Sequence, residues 1–506
     1  MVARIVTWAF DGVEARRVDV QVQITDAINS YFGIVGLADK AVGESRDRVR
    51  ASFAALGLAL PLGRIIVNLA PADLPKEGSH YDAPIALALL VAIGVLPSDS
   101  LDGISCIGEL GLDGSLPSVV GALPAAVAAL ASDLSLVCPA ICGPEAAWGG
   151  GRVLAIPSIM AFINHVRGLK VLAQPERGAL EDRTGFQDIC DVRGQELAKR
   201  ALEIAASGAH NMVMMGPPGS GKSMLAARLP GLLPPLTAKE LLDVSMIHSV
   251  AGLLERGSLT RSRPFRAPHC SASMAALVGG GPKARPGEAS LAHHGVLFLD
   301  ELPEFSTQAL DALRQPLETG EIVVARANRH VVYPARFQLI AAMNPCRCGG
   351  GDSAPCRKGP RCAIDYQSRV SGPMMDRIDL NIDVPAVLAA DLALPPAREG
   401  SAQVAKRVAA ARLAQRDRAG LDGPSTNSAL QGEALDRFCK PDAAGQALLS
   451  KAAEAMRLTA RAYHRTLKVA RTIADLEGRD GIARNHIAEA LSYRRIDPGS
   501  AAPKAV

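Results

Sequence analysis

The feature that most constrains this chain is the loop at residues 216–223, which reads Gly-Pro-Pro-Gly-Ser-Gly-Lys-Ser. The apolar run from Met212 to Met215 precedes it, and a helix-forming run from Met224 to Ala227 follows. This pattern predicts a buried strand that enters a glycine-rich turn and then opens a helix. Glycines let backbone N–H groups turn inward, and the helix N-terminus adds positive potential. The sequence therefore predicts a binding site for a nucleoside triphosphate.

Each residue type in this loop has an expected task. Lys222 would reach the β and γ phosphates of ATP, and the Ser223 hydroxyl would ligate Mg²⁺. The other contacts would come from the backbone of the turn, which consists of Gly216, Pro217, Pro218, Gly219, Ser220 and Gly221. The loop thus predicts ATP and Mg²⁺ as cofactors.

A second apolar run, Val296 to Leu299, ends in the adjacent carboxylates Asp300 and Glu301. This is the pattern of a buried parallel strand whose carboxyl end faces the ligand. Asp300 would complete the Mg²⁺ shell, and Glu301 would orient or deprotonate the attacking water. Two acids at a strand end can also simply cap a turn. Their position 77 residues after Ser223, in the same predicted domain, favours a hydrolysis site.

A third predicted strand, Phe337 to Ala342, is followed closely by Asn344. An asparagine at the end of a strand could polarise the attacking water or sense the γ phosphate. The alternative is an asparagine that turns the chain before Pro345.

Phosphoryl transfer needs positive charge near the developing anion, so arginines are further candidates. Arg369 and Arg377 both lie late in the predicted α/β region, and either could act as an arginine finger. Arg377 could instead form a local salt bridge with Asp376 or Asp379. Arg471 lies on a predicted helix that is otherwise apolar on that face, and it is either a phosphate sensor or an ordinary surface charge.

With 506 residues and a hydrophobic fraction of 48%, the chain is too long for one core and can support several. The expected organisation is an α/β protein with an N-terminal α+β domain (1–170), a polar linker (171–185), a nucleotide-binding parallel-sheet domain (186–385), a helical lid (400–497) and a disordered tail (498–506). No apolar stretch reaches the roughly 18 residues that span a bilayer. The first residues do not resemble a signal peptide. We therefore expect a cytoplasmic protein without a membrane partner.

Four of the ten cysteines fall within 17 residues, with the spacing C-x-C-x7-C-x5-C. They are Cys346, Cys348, Cys356 and Cys362, and they lie in a polar stretch rich in glycine and proline. Four thiolates could hold a structural Zn²⁺ that orders this loop. The spacing is not that of a standard zinc ribbon, so reduced thiols are the alternative.

The formal net charge of only +4 means that any contact with nucleic acid must be local. The segment from Arg256 to Gly287 carries six Lys or Arg and no Asp or Glu, and a predicted hairpin from Glu321 to Val332 has a basic turn. Such loops could bind the phosphate backbone of DNA without sequence specificity, although basic loops are often only solvated surface. The predicted DNA contacts are Arg261, Arg263, Arg266, Lys283, Arg285, Arg326 and Arg329.

Together these motifs resemble an AAA+ ATPase, and more closely the magnesium-chelatase-subunit-like group known as the YifB or ComM family. Further segments carry the resemblance, which spans nearly the whole chain: Asn68 to Gly78, Asp191 to Gln195, Phe265 to His269, Pro286 to Glu288 and Lys468 to Glu477. Two differences stand out. The family commonly has His-His-Thr where this chain has His269-Cys270-Ser271, and Asp39 is followed here by Lys40 instead of a small or polar residue.

The resemblance implies a Lon-protease-like, ribosomal-S5-like fold for the N-terminal domain and assembly into a homo-hexameric ring. It also implies an ATP-driven DNA motor, with branch migration during natural transformation as the best described role. It favours Arg377 as a finger that completes a neighbour's site and Arg471 as the lid sensor. Proteolysis is not expected, because Ser115 to Gly121 lacks the lysine that Lon-type enzymes place there. The rival class is a remodelling chaperone of Mg-chelatase type that acts on a partner protein.

Overall fold

The structure is a computed structural model of the chain. It describes residues 2–36, 39–182, 185–281, 284–326, 329–349, 356, 361–387, 399–420, 423 and 425–494, while the side chains of Arg326 and Arg329 are outside this description. The predicted disordered tail, 498–506, also lies outside the described residues.

The strands within the described residues follow in chain order as β1 (Val2–Asp11), β2 (Glu14–Thr25), β3 (Tyr31–Val35), β4 (Arg64–Ala70), β5 (Ile104–Cys106), β6 (Ser135–Pro139), β7 (Val153–Ile156), β8 (Leu180–Glu181), β9 (Met212–Met215), β10 (Leu259–Thr260), β11 (Phe265–Arg266), β12 (Val296–Leu299), β13 (Glu321–Arg326), β14 (Arg329–Pro334), β15 (Gln338–Met343) and β16 (Leu380–Asp383).

The helices are α1 (Lys40–Ala55), α2 (Asp82–Ala92), α3 (Ala122–Ala131), α4 (Gly143–Ala146), α5 (Ile159–Val166), α6 (Glu196–Gly208), α7 (Lys222–Arg228), α8 (Ala238–Ala251), α9 (Met274–Val278), α10 (Glu288–Leu291), α11 (Thr307–Ala312), α12 (Pro316–Thr319), α13 (Arg361–Gln367), α14 (Gly372–Met375), α15 (Ser401–Ala419), α16 (Gly432–Phe438), α17 (Ala443–Ala455), α18 (Ala460–Leu476) and α19 (Arg484–Ser492). None of them, within the described part of the chain, is at once long enough and apolar enough to cross a bilayer.

The N-terminal domain is built on a mixed seven-stranded sheet with the order β3-β4-β2-β1-β5-β6-β7. Alternation in β2 sets which face is buried: Val18, Val20 and Val22 are fully enclosed, and their neighbours in sequence point away. Apart from its first residue, Asp82, which pairs with Arg48, helix α2 is apolar on all sides. It is buried nearly throughout and packs on β1 and β2. This arrangement gives the domain its own core.

The second large sheet is fully parallel, with the order β11-β12-β15-β9-β16. Strand β15 is inserted between β9 and β12, so the carboxyl ends of these three strands lie side by side. We call this side of the sheet the carboxyl edge and the opposite side the amino edge. Ligands of such sheets bind outside the carboxyl ends, where the strand order reverses.

Successive residues of these strands point to opposite faces. Met212, Met214 and Phe298 face a core formed with α6, α7 and the lid. Val213, Leu297 and Leu299 face a second core, formed with α11 and the β13–β14 hairpin. The mixed α/β class and the helical C-terminal region predicted from the sequence are thus confirmed.

The N-terminal domain is docked on α8 of the nucleotide-binding domain. The Ser249 hydroxyl donates to Glu145 Oε1 at 2.5 Å, and the Trp148 indole N–H donates to the carbonyl of Gly257 at 3.1 Å. The segment 171–185, expected as a linker, contains strand β8, which pairs with β10. Hydrogen bonds therefore join the two domains directly, and the linker itself is bonded to the nucleotide-binding domain through β8.

Candidate nucleotide-binding site

The phosphate loop lies at the carboxyl edge, between β9 and α7. Gly219 and Gly221 have φ values of +78° and +90°, a left-handed conformation that glycine adopts without a steric cost. Any side chain at Gly216 would collide with the carbonyl oxygen of Val384 at the end of the neighbouring strand β16. The turn therefore needs these glycines for its backbone path, and helix α7 begins directly after it at Lys222.

Lys222 is buried at the centre of this loop. Its ammonium donates to the carbonyl oxygens of Gly216 at 2.8 Å and Pro217 at 2.9 Å, and to Asn344 Oδ1 at 3.2 Å. Burial lowers the pKa of Lys222, and the nearby Asp300 carboxylate opposes that shift. The ammonium is therefore held where phosphate oxygens would compete with backbone carbonyls for its protons.

Ser223 and Asp300 meet although 77 residues separate them. The Ser223 hydroxyl donates to Asp300 Oδ2 at 2.6 Å, and Asp300 Oδ1 accepts from the backbone N–H of Glu301 at 2.9 Å. They meet because only β15 separates β12, which ends before Asp300, from β9, which leads into the loop that carries Ser223. A hydroxyl and a carboxylate at this separation fit the oxygen ligands that Mg²⁺ takes beside phosphates.

Glu301 turns the chain at the end of β12 with a φ of +53°, which is unusual for a residue other than glycine. Its side chain is exposed, and Oε2 lies 3.9 Å from the Cys270 sulfur. Sequence reasoning did not single out Cys270 as a functional residue. The only signal was its position in the His269-Cys270-Ser271 segment, which differs from the family pattern.

Asn344 directly follows β15 and contacts Lys222 through its amide oxygen. The structure thus brings five of the predicted residues to the carboxyl edge, namely Lys222, Ser223, Asp300, Glu301 and Asn344. This arrangement can bind a triphosphate with Mg²⁺ and present a carboxylate to water.

Arg377 lies at the amino edge, just before β16. It donates from Nε to the carbonyl of Arg314 at 3.0 Å, from Nη1 to that of Pro373 at 2.7 Å, and from Nη2 to Glu318 Oε2 at 2.5 Å. The expected alternative partners, Asp376 and Asp379, are not the acceptors in these bonds. The four residues of β9 span roughly 13 Å, so Arg377 is separated from the phosphate loop of its own chain by the depth of the sheet.

A basic cavity of about 340 Å³ surrounds Arg377, and we call it the amino-edge pocket. Arg461 shares the Glu318 carboxylate with Arg377, donating to Oε1 at 2.8 Å. Besides these three residues, the pocket is lined by Ser428, Gln431, His464, Arg465 and Lys468. Sequence reasoning did not identify Arg461, because a single basic residue near the start of an amphipathic helix carries no local signal.

The two other candidate arginines have different surroundings. Arg369 is exposed and donates to Glu304 Oε2 at 3.1 Å and to the carbonyl of Pro303. Arg471 is buried within the lid, where it bonds to Asp475 Oδ1 at 3.0 Å and to the carbonyls of Arg479 and Asp480. In this conformation Arg471 holds the end of α18, and its role as a phosphate sensor stays a prediction.

The basic segment from Arg256 to Gly287, which we call the basic insert, has less uncompensated positive charge than its sequence indicates. Arg263 forms a two-point ion pair with Glu240 at 3.1 and 3.0 Å, and Arg266 forms one with Glu288 at 2.5 and 2.8 Å. Arg263 also donates to the carbonyls of Pro234 and His294. Carboxylates outside the segment 256–287 thus neutralise both arginines in this structure. Their predicted contact with DNA stays a prediction, and each arginine would have to leave its carboxylate to make it.

The remaining predicted DNA contacts fall into two groups. Arg261 and Arg285 are exposed. Lys283 and the side chains of Arg326 and Arg329 lie outside the described residues.

The four clustered cysteines lie close together beside the nucleotide site. Their sulfur atoms are all within 4.8 Å of one another, and Cys348 Sγ is 3.2 Å from Cys346, 3.0 Å from Cys356 and 3.9 Å from Cys362. A tetrahedral zinc with Zn–S bonds of about 2.3 Å has sulfur atoms about 3.8 Å apart. Disulfide sulfurs would be about 2.05 Å apart. The separations of 3.0 and 3.2 Å are longer than a disulfide bond and shorter than this zinc spacing, and that of 3.9 Å matches it. Four thiols gathered in this way are the donor set that a zinc thiolate site requires.

Known proteins resemble this chain along most of its length. Three family models match it: subunit ChlI of Mg-chelatase at residues 20–140, magnesium chelatase subunit ChlI at 188–392, and the ChlI C-terminal model at 398–494. The chain is 28% identical over 354 residues to the magnesium-chelatase 38 kDa subunit of Rhodobacter capsulatus, covering 64% of this chain and 92% of that protein.

Two further relatives are more similar. The chain is 43% identical over 492 residues to the competence protein ComM of Haemophilus influenzae, and 42% identical over 496 residues to protein YifB of Escherichia coli. Each alignment covers 96% of both chains. Together with the parallel sheet, the phosphate loop and the strand-end acids, these matches show that the chain belongs to the YifB/ComM family of magnesium-chelatase-like AAA+ ATPases.

Proposed function

We propose that this protein is one subunit of an ATP-driven, Mg²⁺-dependent ring motor that moves along DNA, as a helicase or branch-migration translocase in natural transformation or recombination. One observation carries the proposal. The loop and acids that bind and cleave ATP lie at the carboxyl edge of the sheet, whereas the basic amino-edge pocket lies on the opposite side.

A second copy of the chain would unite these two halves. If the amino edge of one subunit packs against the carboxyl edge of the next, Arg377 and Arg461 of the first face the triphosphate of the second. Such a contact uses different surfaces on the two subunits, and it closes into a ring when the rotation between subunits allows it. The number six comes from the family resemblance alone.

The proposed reaction divides the work between neighbours. Lys222 and the loop backbone hold the phosphates, Ser223 and Asp300 ligate Mg²⁺, and Glu301 orients the attacking water. Asn344 positions Lys222 and the γ phosphate. The neighbour's Arg377 would stabilise the charge that develops in the transition state.

DNA is the substrate that the remaining features favour. Arg261 and Arg285 are exposed cations in the insert, and they would contact phosphates together with Lys283, Arg326 and Arg329. The similarity to a protein named for competence supports a role in natural transformation. A structural Zn²⁺ on the four clustered cysteines completes the proposed set of cofactors.

The similarity to a magnesium-chelatase subunit favours a second candidate, a chaperone that remodels a partner protein. The ATPase rate at low salt, with and without single-stranded or forked DNA, separates the two functions. We expect DNA to raise the rate several-fold and the protein to unwind three-strand and four-strand junctions. Lys222→Ala, the matched control, should bind DNA without either response. Absence of both stimulation and DNA binding in the intact protein would favour the chaperone.

A further inference from the structure

We propose that the four-cysteine cluster is a zinc site that positions the phosphate loop, so that zinc occupancy sets the affinity for nucleotide. This inference rests on the proposed function, because it assigns a controlling element to the same nucleotide site. It goes beyond a structural zinc, which could order its own loop without any effect on ATP.

The first contact joins the cluster to the loop directly. Gly349 follows the ligand Cys348, and its φ of +73° is the left-handed conformation that favours glycine. A Cβ atom at Gly349 would lie 2.9 Å from Cγ and 3.1 Å from Cδ of Pro218. The backbone beside the cluster thus packs on the proline ring inside the phosphate loop, with no room for a larger residue.

The second contact runs through the strand that precedes the cluster. Cys346 is two residues after Asn344, whose amide oxygen accepts from Lys222. At Met343, the last residue of β15, the carbonyl oxygen accepts from the backbone N–H of Gly216 at 3.2 Å. A displacement of Cys346 would therefore change the positions of both Lys222 and Gly216, the first residue of the loop.

The third contact comes from the other side of the cluster. Helix α13 carries Cys362 and also Gln367, which donates to the carbonyl of Pro345 at 2.7 Å and to the sulfur of Met215 at 3.8 Å. Pro345 lies between Asn344 and Cys346, and Met215 is the last residue before the loop. The cluster is therefore linked to the nucleotide site at both ends of its sequence.

Zinc has a clear physical role in this arrangement. Of the four ligands only Cys346 is fully buried, at 2% exposure, so apolar packing does little to hold the others. Metal binding supplies free energy that orders such a segment. Because coupling between two binding events is reciprocal, zinc that favours the nucleotide-binding loop conformation must itself be held more tightly when nucleotide is bound.

The test uses the full-length protein and two measurements that need neither DNA nor hydrolysis: zinc per chain, and the Kd of a fluorescent ATP analogue. We expect one zinc per chain in the wild type. Cys348→Ser should lose the zinc and bind the analogue about tenfold more weakly. The control Cys142→Ser, whose sulfur bonds to Val119 in the N-terminal domain, should change neither quantity.

Two further measurements keep the proposal testable if Cys348→Ser does not fold. Gly349→Ala should keep its zinc yet weaken analogue binding, because the added methyl group presses on Pro218. In the wild type, bound analogue should slow the release of zinc to a chelator. A wild-type protein without zinc, or a zinc-free protein whose analogue Kd stays within twofold of normal, would overturn the inference. Either result leaves the motor proposal intact, since that depends on DNA stimulation and on mixing of subunits.

Discussion

Arg377 and Glu318 form an ion pair at the amino edge of the sheet in which the buried partner is the cation. The Arg377 side chain is 8% exposed and that of Glu318 is 53% exposed. Glu318 also pairs with Arg461 at 2.8 Å. In the proposed ring, a phosphate of a neighbouring subunit would displace the exposed Glu318 carboxylate and bind between two arginines that are already positioned.

The first prediction concerns catalysis between subunits. Arg377→Ala should lower kcat by about 10³-fold while nucleotide still binds, because an arginine finger acts mainly on the transition state. Mixing this variant with Lys222→Ala should restore part of the ATPase activity, since some interfaces then combine an intact loop with an intact arginine. Arg369→Ala is the control, and it should lose less activity because Arg369 pairs with Glu304 and does not line the amino-edge pocket that holds Arg377 and Arg461. Mixtures that remain as inactive as their components would exclude a finger acting in trans.

The second prediction separates binding from hydrolysis at the carboxyl edge. Glu301→Gln should bind ATP normally but hydrolyse it at least about 100-fold more slowly, because the amide cannot accept a proton from water. Lys222→Ala should lose nucleotide binding itself. Equilibrium binding and single-turnover hydrolysis measure the two effects. Normal turnover by Glu301→Gln would show that another group activates the water.

The third prediction follows from the ion pairs of the basic insert. Arg285→Ala should weaken DNA binding and reduce the slope of log K against log salt by about one, as expected for one lost phosphate contact. Arg263→Ala should leave that slope unchanged but destabilise the fold by about 3 kcal/mol, because the largely buried Glu240 loses its arginine partner. Fluorescence anisotropy at several salt concentrations and urea unfolding distinguish the two variants. A reduced salt slope for Arg263→Ala would mean that its pair with Glu240 opens on DNA.

The fourth prediction concerns pH and the N-terminal domain. His80 is buried with Nε2 2.9 Å from the carbonyl oxygen of Trp8, and burial lowers the pKa of His80 from 6.5 to about 4. The unfolded chain then takes up a proton before the folded chain does. Stability from this group is therefore complete above pH 6.5 and falls as the pH drops towards 4, by about 3 kcal/mol in total.

Urea unfolding at pH 7.5 and 4.5 tests this, with emission from Trp8 and Trp148, both in the N-terminal domain, as the signal. His80→Asn should show a smaller loss between these pH values than the wild type. Burial raises the pKa of Glu145, so its contribution has the opposite sign, but it is present in both proteins and cancels in the comparison. An equal loss in His80→Asn would assign the pH dependence to other groups.

Much of the fold could be predicted because its signals are local. The alternation in β2 and the continuous apolar run before Asp300 each report the environment of one strand. The strand order could not be predicted in this way. The insertion of β15 between β9 and β12 depends on which strands pair in space, and this insertion is what brings Asn344 to Lys222.

The sequence by itself determined the phosphate loop, the strand-end acids and the cysteine set, since a few neighbouring residues must be glycine, carboxylate or thiol for the backbone path and the chemistry to exist. Only the tertiary structure decided which charges stay available. Arg263 is neutralised by Glu240, Arg377 is held by Glu318 from 59 residues away, and Arg471 is enclosed in the lid. Whether a charge is compensated depends on which side chains come together in the folded protein, and this cannot be inferred from their separation along the chain.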